Sequence, residues 1–201
     1  MALAALCTCA VAEEDTAEDW FNRGQELMMN GSLEEALEAY DRAIDLDPDN
    51  AEAWVGRGYA LKNLAFFNKE PARYNESLKS FERAIELNRT HSSAWSGKSN
   101  VLSIMGRYVE AIEAYDASLE IDSQQAWVLV GKANALWKVG RYNESTETYD
   151  EAVEAAYGNT EKAFVWFERA HLFAEVGDNN ETMKALERAT ELAPENKNIS
   201  F

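Results

Sequence analysis

The residues that could do acid–base, nucleophilic or metal chemistry are few, and they are spaced poorly for it. His91 and His171 are the only histidines, and Cys7 and Cys9 sit in a short leader ahead of the patterned part of the chain. No H-x3-H or C-x2-C spacing occurs, so the ligand set of a zinc site is missing. There is no glycine-rich loop of the kind that cradles phosphate. Carboxylates abound, but helix faces dense in Glu and Asp always contain pairs at catalytic-looking separations. No residue is therefore assigned to catalysis, to a cofactor or to a metal. What remains is hydrogen-bonding and apolar chemistry suited to holding another chain, and its placement depends on a repeated pattern.

That pattern first appears as Trp20, Gly24, Leu27, Ala36, Tyr40, Ala43 and Pro48. It returns as Trp54, Gly58, Leu61, Ser77, Phe81 and Ala84, then as Trp95, Ser99, Leu102, Ala111, Tyr115 and Ser118. Leu129, Ala133, Leu136, Ser145, Tyr149 and Ala152 form the fourth set, and Trp166, Ala170, Phe173, Thr182, Leu186, Ala189 and Pro194 the fifth. Each set holds two amphipathic runs, with small residues where two helix backbones must approach closely. Gly31, Gly106, Gly140 and Gly177 fall between the runs, where glycine ends a helix in the left-handed conformation. Each set is thus a helical hairpin. One hairpin cannot bury its apolar face alone, so neighbours stack into an elongated solenoid.

Register places the hairpins at Ala17–Asn50, Ala51–His91, Ser92–Gln125, Ala126–Lys162 and Ala163–Asn196, between a leader (1–16) and a tail (197–201). The second carries seven extra residues near Asn63–Ala72. Seven is close to two helical turns, so its first helix is expected to continue in phase until Pro71 stops it. Phe66 and Phe67 then stand at a protruding helix end, where the expectation is local packing against the longer loop, the alternative being a lip of a binding surface. Three extra residues around Gly158–Lys162 are expected to lengthen a connection.

The sequence resembles the tetratricopeptide repeat, a 34-residue helix-turn-helix unit, over nearly all of its length. The resemblance implies an all-α fold: an α-solenoid of five stacked antiparallel helix-turn-helix repeats in a right-handed superhelix. It also implies a non-enzymatic protein-binding scaffold whose concave groove is lined by first helices. Residues expected to face that groove are Phe21, Gln25 and Met28; Val55, Tyr59 and Lys62; Ser96, Asn100 and Ser103; Val130, Asn134 and Trp137; and Phe167, His171 and Ala174. Gln25, Tyr59, Asn100, Asn134 and His171 share one repeat position and form a row able to hydrogen-bond an extended peptide backbone. Aromatic and Met neighbours supply apolar pockets. The clamp that some relatives use for chaperone tails needs Lys and Asn where Phe21 and Gln25 stand, and a second Lys where Ser96 stands, so that ligand is disfavoured.

Charge sorts partners further. The formal net charge is −17, which argues against nucleic acid, whose binding rests on Lys and Arg, and equally against an anionic membrane surface. With 46% hydrophobic and 11% aromatic residues the chain can bury a long, thin core. Much of the acid lies on second helices, as at Glu34, Glu35 and Glu38, and reads as a solvated outer face. One charge pattern is more ordered. Arg23, Arg57, Lys98, Lys132 and Arg169 occupy a position where the family commonly has Leu. Second helices answer with Asp41, Glu82, Asp116, Asp150 and Glu187, and with Asp45, Glu86, Glu120, Glu154 and Glu191. A ladder of ion pairs that sets stacking register is expected.

Two features point to export. Met1–Ala12 is small and apolar and ends Ala10-Val11-Ala12 before Glu13, a cleavage-like pattern, though it lacks Lys or Arg at its start and is too short to span a membrane. N-x-[ST] sequons occur at Asn30, Asn75, Asn88, Asn143, Asn180 and Asn198, roughly four times the number expected from composition. Asn75, Asn143 and Asn180 share one repeat position, and each places Ser or Thr where the family prefers Ala, a change that packing alone does not ask for. Secreted or extracytoplasmic placement with N-glycosylation is thus favoured over a cytoplasmic one. Thr190 replaces the Ile44, Ile85, Leu119 and Val153 of earlier repeats, as a terminal cap would, while Met183 and its neighbours stay open to weak self-association. The favoured reading is a scaffold binding a peptide or protein segment in its groove. The alternatives are a glycosylated envelope component and the regulatory arm of an enzyme encoded elsewhere.

Overall fold

The computed structural model describes residues 15–195; the leader up to residue 14, with Cys7 and Cys9, and the sequon at Asn198 lie outside them. Among the described residues there are ten helices and no strand: α1 (Ala17–Met29), α2 (Leu33–Leu46), α3 (Ala51–Phe67), α4 (Ala72–Leu87), α5 (Ser92–Ile104), α6 (Tyr108–Ile121), α7 (Ala126–Lys138), α8 (Tyr142–Ala155), α9 (Gly158–Glu175) and α10 (Asn179–Leu192). Consecutive helices pair as antiparallel hairpins.

Local chemistry sets the helix ends. Thr16 and Asp19 form a capping box, the Asp19 N–H donating to Thr16 Oγ1 (3.2 Å) and the Thr16 N–H to Asp19 Oδ2 (2.8 Å). Asn50 caps α3 by accepting from the Ala53 N–H (3.0 Å). Gly31, Gly106, Gly140 and Gly177 close four hairpins with φ between 75° and 83°. After each, an N–H reaches five residues back, as from Ser32 to the Leu27 carbonyl (2.9 Å), so the last helical carbonyls are satisfied. Lys69, at φ 57°, does the same in the α3–α4 turn, at a steric cost of about 1–2 kcal/mol that glycine would avoid.

Both length variations end differently from expectation. Helix α3 runs 17 residues where α1, α5 and α7 run 13, but it stops at Phe67, and Pro71 instead opens α4. Phe66 and Phe67 do not pack into the loop: each is 67% exposed, and their rings meet edge to face at 5.3 Å. Residues 158–162 do not lengthen a connection either. They form the first turn of α9, held by the Tyr157 N–H donating to Glu161 Oε2 (2.6 Å).

Each first helix packs against the next first helix, in the order α1, α3, α5, α7, α9, whereas the backbones of successive second helices stay farther apart. The row therefore curves with the first helices inside. Its core is strung out in separate clusters along the row, as stacked hairpins require. The tightest contacts cross repeat boundaries. The Tyr40 ring lies between Gly24 of its own hairpin and Gly56 of the next, where added Cβ atoms would come within 2.7 and 2.5 Å of it. Phe81 lies likewise between Gly58 (2.8 Å) and Gly97 (2.3 Å), and Tyr115 lies against Gly131 (2.5 Å).

The charge ladder is an inter-repeat device. Arg57 Nε meets Asp41 Oδ1 at 2.6 Å, Lys98 meets Glu82 at 3.2 Å, Lys132 meets Asp116 at 2.7 Å and Arg169 meets Asp150 at 2.6 Å. In every case the base of one hairpin takes the acid of the preceding second helix. The other acid row does not join in: Glu86 and Glu191 pair with Arg83 and Arg188 of their own helices, because a position one turn further along lies beyond the basic side chains. The four ladder acids remain 44–63% exposed, so each rung contributes about 0–1 kcal/mol and its main effect is alignment.

Burial raises the pKa of Tyr59 and Tyr115, pushes Tyr40 up to about 12 and holds Tyr149 higher still. In the unfolded chain these phenols ionise near about 10. Their contribution to stability is thus whole below that pH and is lost as pH rises through the folded values. The melting temperature should fall steeply above about pH 10, with tyrosine ionisation, followed by ultraviolet absorbance, coinciding with loss of helicity. A melting temperature unchanged between about pH 9 and 12 would contradict this packing.

Candidate protein-interaction groove

The inner wall is built from one face of each first helix. Helical periodicity puts residues three, seven and ten apart on one stripe. Between the first two hairpins this stripe opens a cavity of about 410 Å³ lined by Phe21, Gln25, Met28 and Met29 from α1 and by Glu52, Val55, Gly56 and Tyr59 from α3, with Tyr40 beneath. Five of the residues expected in the groove, Phe21, Gln25, Met28, Val55 and Tyr59, thus come together. Val55 is a buried floor, Gln25 is exposed, and Met29 is 80% exposed at the rim.

The expected row of hydrogen-bonding side chains is only partly free. Gln25 and His171 are exposed at its two ends. Between them the Tyr59 hydroxyl donates to the Ser93 carbonyl (3.1 Å) while its ring meets Phe81 at 5.0 Å. Asn134 Oδ1 accepts from the Tyr149 hydroxyl (2.6 Å), which leaves its N–H2 to donate outward. Asn100 lies beside the Tyr115 hydroxyl. The row therefore also ties helices together, between hairpins at Tyr59 and within hairpins at Asn100 and Asn134.

Other expected positions divide similarly. Ser96 is fully buried, its hydroxyl donating to the Ser93 carbonyl (3.2 Å), and does not face the groove. Val130 is buried, and Ser103 Oγ accepts from the Tyr115 hydroxyl (3.5 Å). The Trp137 ring is engaged with Tyr142 (4.6 Å) and Phe173 (5.7 Å) at the junction of α7, α8 and α9. Phe167 is half-buried against the Ala163–Ala189 cluster, and Ala174 is exposed. Lys62 holds its ammonium 5.2 Å from the Tyr59 ring centre, and burial lowers its pKa.

Sequence reasoning missed Trp127 and Phe164. They are 48% and 47% exposed, large for apolar rings, and occupy the repeat position at which Glu52 lines the cavity. The signal was available: a first-turn position held by Glu18, Glu52 and Ser93 switches to aromatics in the last two hairpins. The wall thus runs from polar and acidic, with Gln25 and Glu52, to aromatic, with Trp127 and Phe164.

Outside the wall, the sequon residues Asn30, Asn75, Asn88, Asn143 and Asn180 are exposed. The hydroxyls that accompany two of them have a structural use: Ser77 donates to the Gly58 carbonyl (2.7 Å) and Ser145 to the Ala133 carbonyl (2.8 Å), both fully buried. Helix-to-helix hydrogen bonding therefore does ask for Ser where Ala was expected. His91 Nε2, buried, lies 3.0 Å from Glu52 Oε1 without hydrogen-bond alignment. Among the described residues no group of three potential metal ligands converges, and no helix is long and apolar enough to cross a membrane.

Family models of the tetratricopeptide repeat match residues 24–64, 72–126, 102–163 and 165–196. A curated relative, an uncharacterized protein of Methanocaldococcus jannaschii, is 35% identical over 53 residues, 26% of this chain; the match spans 62% of that protein's length. Among solved structures, MamA of Desulfovibrio magneticus RS-1 superposes with a TM-score of 0.74 at 20% identity, over 92% of this chain and 99% of that one. A thermophilic repeat protein of Thermus thermophilus gives 0.71 at 14% identity, over 92% and 95%. YrrB, described as having an unusual peptide-binding site, gives 0.66 at 20% identity, over 89% and 87%. At these identities the structural likenesses establish the fold alone, and with the sequence matches they lead to one conclusion: the chain belongs to the tetratricopeptide repeat proteins.

Proposed function

We propose that this chain, a protein–protein interaction scaffold by family and fold, holds an extended segment of its partner along the inner wall of the first helices. The observation that carries the reading is the cavity between α1 and α3, where a free amide (Gln25), a carboxylate (Glu52) and apolar surface (Phe21, Met28, Val55) converge on one open space. Such a set meets both the backbone and the side chains of an extended peptide. The polar end of the wall suits a segment with a basic or amide-rich portion, and the aromatic end suits bulky apolar side chains. The test is a comparative capture from the source organism. Gln25→Ala with Asn100→Ala should lower partner recovery about tenfold, the loss of one or two peptide hydrogen bonds, while Glu38→Arg on a second helix leaves it unchanged. Equal recovery by all three chains would remove the groove from the function.

A further inference from the structure

We propose that copies of this chain associate head to tail, the exposed face of the first hairpin receiving the last hairpin of a neighbour through the same contacts that join repeats within the chain. The geometry is written four times in the ladder. At each internal junction the incoming hairpin brings a base, Arg57, Lys98, Lys132 or Arg169, and the preceding second helix brings the acid. At the first two junctions a tryptophan adds a second point: the indole N–H of Trp54 donates to the Pro48 carbonyl (2.9 Å), and that of Trp95 to the Arg89 carbonyl (3.0 Å).

At the two ends of the described array the halves of this contact stand separate. Arg23 and Trp20 carry the donors, and among the described residues neither meets a ladder acid or a carbonyl. Arg23 is exposed and stacks over Trp20 at 5.2 Å, beside an open cavity of about 690 Å³. At the other end Glu187 holds the ladder-acid position, exposed and without a cation among the described residues, and Pro194 holds the position of Pro48 and Arg89. Donors at one end and acceptors at the other, in the same register, define a heterologous contact that extends into an open chain.

The apolar part of the junction is thinner than inside the array. Thr190 replaces the packing residues Ile44, Ile85, Leu119 and Val153, and Leu186 and Asn22 replace the aromatic ring and its facing glycine. The contact is therefore weak, reversible and dominated by charge, so it loosens as salt screens it.

Sedimentation velocity of the full chain across a concentration series reads this directly. The weight-average mass should rise with concentration without a plateau at two copies, and fall toward the monomer at about 1 M salt. Arg23→Glu alone and Glu187→Arg alone should each weaken association by about tenfold or more, with unchanged circular dichroism because both side chains are exposed. The double variant Arg23→Glu with Glu187→Arg reverses the rung and should recover association to within about threefold of the natural chain. Three results would each overturn the proposal: a monomer at every concentration in low salt, a mass that stops at a dimer, or single variants that associate as well as the natural chain.

Discussion

Replacing Gly97 with valine should destabilise the protein by about 3 kcal/mol or more, among the largest effects of any single change in the chain. Gly97 is buried in α5, and even a Cβ there would lie 2.3 Å from the Phe81 ring. That ring has little room to retreat, because Gly58 packs closely against the same ring atoms and Phe81 itself is fully buried. The clash therefore pushes the second and third hairpins apart. In an array whose stability is a sum of repeat and interface terms, a broken interface separates what lies on either side, so thermal unfolding should divide into two transitions. Shortening the opposing ring with Phe81→Leu in the same chain should return part of the loss and restore one transition. A single unchanged transition for Gly97→Val would show that the two hairpins do not clasp the ring.

Truncating both exposed wall aromatics, Trp127→Ala with Phe164→Ala, should weaken partner binding by about thirtyfold or more while leaving the fold intact. Aromatic anchors at the centre of an interface commonly contribute about 2 kcal/mol or more each, and the two effects need not add. The fold should survive because each ring is nearly half exposed in the free protein, while the melting temperature falls modestly with the half that is buried. Isothermal titration with the captured partner segment separates the outcomes. Loss of affinity with unchanged circular dichroism at the assay temperature supports an aromatic subsite in the last two hairpins, and full affinity removes that half of the wall from recognition.

The fold could be read from the sequence because its determinants are local. Hairpin tips need a left-handed residue, and Gly31, Gly106, Gly140 and Gly177 announce it. Small residues at fixed spacing mark close helix contacts. The glycine clasp was harder to see, since Tyr40 meets Gly56 across a repeat boundary and only the stacked register brings the two together. The ladder was visible as rows of charges of opposite sign, but whether a base reaches the acid of its own hairpin or the preceding one depends on how hairpins lean. Arg57 and Asp41 settle it in favour of the preceding hairpin.

The candidate site was legible as a face and less so residue by residue. Periodicity finds Phe21, Gln25 and Met28 on one stripe, and they do converge. It does not tell that Ser96 turns its hydroxyl back to its own helix, nor that Asn134 is engaged by Tyr149, because those contacts depend on the exact spacing of neighbouring backbones. Gly158–Lys162 misled for a related reason. A loop and an extra helical turn of the same length differ only in whether their ends find partners, and here Glu161 accepts from the Tyr157 N–H and starts the helix.

A partner lying along the inner wall would touch first helices and leave second helices free. Site-specific photo-crosslinking tests this most directly, with benzoylphenylalanine placed in turn at Gln25, Trp127 and Phe164 on first helices and at Glu38, Lys79 and Glu147 on second helices, all exposed positions. Adducts with the partner from the first three and none from the last three are predicted. Adducts from the second helices, with none from the first, would contradict the account.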